Sequence, residues 1–136
     1  MVKGILADVH IQGPVRDLVR EMQKEPWAEF WTFLGLTLFH FDDVGLIATS
    51  ADRDIWLMCQ EHQLIFITNN RNADSPDSLE TTIRQLNAPD QLPIFTIGDL
   101  DKLRLSRDYA QRVLNRLYEY LFDIDKVRGA GRLFLP

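Results

Sequence analysis

Short apolar runs, each closed by charged or turn-forming residues, alternate along this chain with stretches of helical spacing, and that alternation leaves few architectures open. Val2 to Val9 is mostly apolar and carries Asp8 near its end, as suits a buried strand with a carboxylate at its C-terminal edge. Gly13 and Pro14 open a helix with Val15, Leu18, Val19 and Met22 at helical spacing, and Pro26 starts a second with Trp27, Phe30, Trp31 and Leu34. Leu36 to Phe41 reads as the next strand, ended by the polar turn at Asp42 and Asp43. Ser50 or Asp52 is the expected cap of a helix whose apolar face holds Ile55, Trp56, Cys59 and His62. Leu64 to Thr68 is a β-branched and aromatic run that breaks abruptly into Asn69, Asn70, Arg71 and Asn72. A helix entered from Ser75 to Asp77, with Asp77 as its expected N-cap, runs to Asn87 and precedes the strand Ile94 to Ile97. A long helix follows from Ser106 to about Asp123, and the tail 128–136 is expected to dock as a short strand or extended arm. The fold class implied is α/β: a three-layer α/β/α arrangement around a mainly parallel sheet, with right-handed crossovers.

Composition narrows the function. With 136 residues, 46% hydrophobic and 26% charged, the chain matches one ordinary globular domain, with residues 1–100 as its core and 101–136 as a C-terminal helix and tail. Its apolar stretches fall well short of the ~20 residues that a membrane helix needs, and Met1 to Asp8 leads directly into a strand without the apolar region of a signal peptide. Cys59 is the single cysteine, which excludes an internal disulfide or a multi-cysteine zinc site and fits a reducing compartment. A soluble, cytoplasmic protein is therefore expected. The net charge of −5 argues against a protein that coats nucleic acid through a broad positive surface. The charge is uneven: residues 1–100 carry 7 basic and 15 acidic side chains, and residues 101–136 carry 8 basic and 5 acidic.

In open parallel sheets the ligand crevice lies beyond the C-terminal strand ends, which brings Asp8 and the Asn69–Asn72 loop to one place. Asp52 and Asp54, at the start of the helix before the Leu64 strand, are candidates for the same edge, although both residues also suit the first turn of any helix. Converging carboxylates repel one another and call for a hard cation such as Mg²⁺ or Mn²⁺, which lowers the pKa of bound water and suits phosphodiester hydrolysis.

The segments ILADVHIQG, SADRDIW and LIFITNNRN, in that order over residues 3–100, resemble the PIN-like nuclease family. The resemblance implies a parallel sheet with flanking helices and, for active members, Mg²⁺- or Mn²⁺-dependent endonucleolytic cleavage of RNA. The family's first-strand Asp matches Asp8, its short acidic helix motif matches Asp52 and Asp54, and the two acids of its Thr–x–Asp–x–Asp ending fall at Asn70 and Asn72. Asp8, Asp54 and Asp52 are thus the expected catalytic carboxylates, and Asp8, Asp54, Asn70, Asn72 and Asp74 the expected metal ligands. The two asparagines replace acids, so a weakened or silent site that binds RNA or a protein partner is the alternative. The family also includes toxins, for which the partner would be an antitoxin; a homodimer is open too.

Arg71, Asn70 and His10 are the expected phosphate contacts in the crevice. Arg104, Arg107, Arg112 and Arg116 include helical spacings that suit either a basic RNA-binding face or a solvated one. Asp8–Val9–His10 matches the opening of a metallophosphoesterase, but the later motifs are missing, and an aspartyl nucleophile would need an acid where His10 stands.

Overall fold

Every residue of Gly4–Ala7, Leu64–Thr68 and Ile94–Ile97 is buried, because these runs lie inside a sheet covered on both faces. The computed structural model describes residues 1–72 and 75–136. Along the described chain the strands are β1 (Gly4–Ala7), β2 (Thr37–Phe39), β3 (Leu64–Thr68), β4 (Ile94–Ile97) and β5 (Arg132–Leu135). The helices are α1 (Gln12–Met22), α2 (Ala28–Leu34), α3 (Asp52–His62), α4 (Leu79–Leu86), α5 (Leu100–Leu105), α6 (Arg107–Phe122) and α7 (Ile124–Val127). The sheet has five strands in the order β2-β1-β3-β4-β5, and every pair is parallel. No described helix is long and apolar enough to cross a membrane.

Strand alternation divides the core in two. Ile5, Ala7, Ile65, Ile67, Phe95 and Ile97 point to the face that α1 and α6 cover, whereas Leu6, Leu64, Phe66 and Ile94 point to the face under α3 and α4. The tail docks as β5 beside β4, with Ile94 opposite Arg132 and Ile97 opposite Leu135.

The chain steps from β1 to β2 with α1 and α2 on the first face, then from β2 to β3 and on to β4 in the other direction with α3 and α4 on the second. These connections share one hand. The last step, from β4 to β5, continues in the second direction but carries α5 and α6 on the first face, so its hand is opposite and the expectation of uniform crossovers fails there. The cause is the apolar stripe of α6, in which Tyr109, Val113, Leu114, Leu117, Tyr118 and Leu121 are buried in the core that α1 also lines. As a result no helix from that last connection covers β5 on the α3–α4 face, and Phe134 stays half exposed.

Several local expectations change. Ala51, not Ser50 or Asp52, is the N-cap of α3, and Ser50 accepts the Ile47 N–H instead. Ser78 rather than Asp77 caps α4, accepting the Thr81 N–H, and α4 is shorter than read. His62 is exposed, while Gln60 lies buried in its place. Tyr118 ties α6 to the end of α1 by donating to the Met22 carbonyl at 2.8 Å, and its ring stacks on Trp27. Tyr118→Phe is expected to cost about 1 kcal/mol. Thermal melting should show a drop of about 3 °C, and an unchanged melting temperature would show that the bond adds nothing beyond what water supplies.

Candidate functional site

The strand order reverses direction between β1 and β3, and a crevice outside the C-terminal ends of those strands is where such sheets bind ligands. Asp8 follows β1 directly, with its backbone N–H bonded to the Ile67 carbonyl, and Thr68 ends β3. Parity then selects the face. Asp8 follows Leu6, Thr68 follows Phe66 and Thr96 follows Ile94 at intervals of two, so all three side chains turn toward α3 and α4. Arg132, opposite Ile94, turns the same way.

A continuous hydrogen-bonded chain results. Asp8 is 6% exposed; its Oδ1 accepts the His10 backbone N–H at 3.0 Å and its Oδ2 accepts the Thr68 hydroxyl at 2.6 Å. The same hydroxyl oxygen accepts the Asn70 N–H at 2.9 Å, turning the chain out of β3. Asn70 Nδ2 makes a long 3.5 Å contact to Asp52 Oδ2, and Asn70 Oδ1 accepts the Asn72 N–H at 2.9 Å. Arg132 closes the floor: Nε donates to Glu80 at 2.7 Å, and Nη1 donates to Thr96 Oγ1 at 2.6 Å and to the Asn70 carbonyl at 2.9 Å.

Electrostatics makes Asp52 the unsettled member. Burial raises its pKa above the ordinary value for an aspartate, and the charge on Asp8 adds to the rise. Hydrogen bonds from Asn70 and the Leu79 N–H, together with the Arg132 charge, act the other way without cancelling it. The bonded network of Asp8, Asp52, Glu80 and Arg132 thus carries more negative than positive charge.

Among the described residues, no group of three or more His, Cys, Asp or Glu side chains is placed to hold a metal ion. Among the described residues the crevice offers two carboxylates, Asp8 and Asp52, and the Asn70 amide oxygen. That donor set fits Mg²⁺ or Mn²⁺, which commonly take one or two carboxylates and keep their remaining positions for water and phosphate. Among the described residues each Asp8 oxygen accepts a single hydrogen bond, and a carboxylate has roughly four lone-pair sites, so capacity remains. The mutual repulsion of Asp8 and Asp52 is what a cation would relieve.

Asp8, Asp52 and Asn70 are therefore brought together. Asp54 is not: it is exposed on the first turn of α3, outside the bonded chain. His10 is exposed beside Asp8, Arg71 and Asn72 are exposed on the crevice loop, and Asp74 lies outside the described residues. Of the C-terminal basic residues, Arg112 stacks on Tyr109 and Arg116 on Tyr120 with a 3.7 Å contact to Glu119, as on a solvated face. Cys59 is buried and its thiol is pushed up to about 12, which removes it as a nucleophile.

A groove of about 1060 Å³ lies beside the carboxylates rather than on them. It starts at His10 and runs between α1 and the start of α6, with Lys24, Arg104 and Arg107 as well as Asp17 and Glu21 along it.

Sequence reasoning did not single out Thr68, Glu80 or Arg132 as site residues. Thr68 was within reach, since an apolar strand that ends on a hydroxyl beside a strand that ends on a carboxylate places a donor next to an acceptor. No family model, curated protein or solved structure matches this chain.

Proposed function

We propose that this chain is a PIN-like domain that hydrolyses phosphodiester bonds of single-stranded RNA, with Mg²⁺ or Mn²⁺ bound through Asp8 and Asp52. The observation that carries this reading is the pair itself: a buried carboxylate fixed by Thr68 and the His10 N–H at the β1/β3 switch point, with a second carboxylate near enough to feel its charge. Such a cation supplies an acidified water and a counter-charge for the phosphoryl oxygens. Asp8 contributes a rotationally locked ligand, because both of its oxygens are already oriented by donors on two different elements. Asn70 orients Asp52 and offers its amide oxygen, and exposed Arg71 and His10 stand at the crevice mouth for the substrate backbone. The groove leading from His10 past Arg104 and Arg107 suits a flexible single strand better than a rigid duplex.

A second reading is favoured by Asn70 and Asn72. They stand where the family has acids, and Asn70 spends its amide on internal bonds, as expected of a module that keeps the fold for binding alone. Calorimetric titration of the wild type with Mn²⁺, followed by incubation with single-stranded RNA in Mn²⁺ and in EDTA, separates the two. One binding site and EDTA-sensitive cleavage are expected. Neither heat nor cleavage would end the nuclease reading and leave the binding module.

A further inference from the structure

We infer that Nη2 of Arg132, a residue of the C-terminal strand, is a phosphate-oxygen donor of this crevice. The guanidinium side chain is 9% exposed, and its Nε and Nη1 are fully engaged by Glu80, Thr96 and the Asn70 carbonyl. Nη2 is buried and has no hydrogen-bond partner among the described residues. A buried donor left unmade is costly, and in a polar cluster it marks a place for an acceptor that arrives from outside. Arginine is the residue whose planar fork suits a phosphate, and the bonds on its other nitrogens fix this fork in orientation. Through Nη1 the group already touches the backbone of the crevice loop, and its charge reaches Asp52. The opposite hand of the last crossover is what makes the position available, since α4's Glu80 covers Arg132 and no helix from that crossover does.

This inference rests on the proposed phosphodiester substrate, and it gives the tail a function: Arg132 binds a phosphoryl oxygen while Asp8 and Asp52 bind the cation. The two are testable apart. Wild-type protein labelled with ¹⁵N-arginine is titrated with inorganic phosphate and then with a cleavage-resistant 2′-O-methyl oligouridylate; the resonance that Arg132→Lys removes is expected to shift with both. Arg132→Gln is expected to weaken oligouridylate binding about 10-fold or more and to lower the salt slope of log K by about 0.7, the loss of one phosphate contact to a single strand. Arg132→Lys, which retains the charge, should recover part of the affinity. A purely structural Arg132 would leave the wild-type resonance still and the salt slope unchanged, and either result overturns the inference. Absence of Mn²⁺ heat in the wild type would defeat the nuclease reading alone, because the arginine resonance is read without metal.

Discussion

Asp8→Asn is expected to abolish Mn²⁺ binding and to lower RNA cleavage by about 10²–10³-fold, since charge stabilisation by a bound cation is worth several kcal/mol and each 1.36 kcal/mol is tenfold. The amide keeps the shape of the side chain and an acceptor for the His10 N–H, and it can donate to the Thr68 oxygen. The fold should therefore survive. Asp52→Asn is expected to remove metal binding as well, but to raise the melting temperature of the metal-free protein by no more than about 3 °C, because Asp52 is only partly buried and solvent screens its charge. The sign follows from the direction of the shift. The pKa of Asp52 is raised in the folded state, so its protonated form is favoured by folding; that contribution is present below the ordinary value of 3.8 and is lost as pH rises through the raised value. At neutral pH the ionised carboxylate is a net cost that the amide escapes. Melting both proteins in EDTA across the acid range should show them converging at low pH and Asp52→Asn gaining as pH rises. A variant that melts lower than wild type at neutral pH would show that the bonds from Asn70 and Leu79 outweigh the burial of the charge and its repulsion by Asp8, and the site would then have no stored demand for a cation. Stability given up at a cluster of like charges is the usual signature of a functional site.

How much of this was legible in the sequence differs from residue to residue. Leu64–Thr68 declares itself because a strand buried on both faces must be apolar throughout, and its sharp polar end marks the crevice. β2 is shorter than its apolar run suggests, because the His40 N–H leaves the ladder to donate to Asp43 at 2.8 Å. Asp52 and Asp54 look interchangeable as text. On a helix, however, residues two apart point roughly 200° from each other, so only one of them can face the sheet. The available signal was Asp52 itself, which lies three, four and seven residues before buried Ile55, Trp56 and Cys59. Arg132 carried no comparable signal: its role depends on β5 docking beside β4 and on the hand of a crossover, which one sequence does not express. Its partners Asn70, Glu80 and Thr96 are remote in sequence, and only the sheet gathers them.

The same helix supplies the largest structural effect. Gln60 is buried at 9% exposure, with Nε2 donating to the Leu92 carbonyl and Oε1 accepting the Leu92 N–H, both at 2.8 Å. Leu92 precedes β4, so this paired amide holds α3 against the entry to that strand as a backbone ladder would. Helical spacing favours His62 for the inward face, but α3 ends there, Gln63 turns left-handed at φ 56°, and the His62 side chain reaches solvent. Gln60→Leu would leave one buried N–H and one buried carbonyl without partners, at about 1–3 kcal/mol each, with some return from the added apolar side chain. A net loss of about 3 kcal/mol is expected, a large part of the 5–15 kcal/mol typical of a domain, and with it a fall in melting temperature of about 10 °C. Gln60→Glu separates hydrogen bonding from shape: its carboxylate can accept the Leu92 N–H but only repels the Leu92 carbonyl when ionised. That variant should be closest to wild type in acid, where the protonated carboxyl donates again, and should lose ground as pH rises. If both variants melted within ~2 °C of wild type at neutral pH, water would be reaching Leu92, and α3 would have to be anchored by Ile55, Trp56 and Cys59 alone. Anchorage matters to the crevice because Asp52 sits at the other end of the same rigid helix, two turns from Gln60, and any tilt of α3 would separate Asp52 from Asn70 and Asp8.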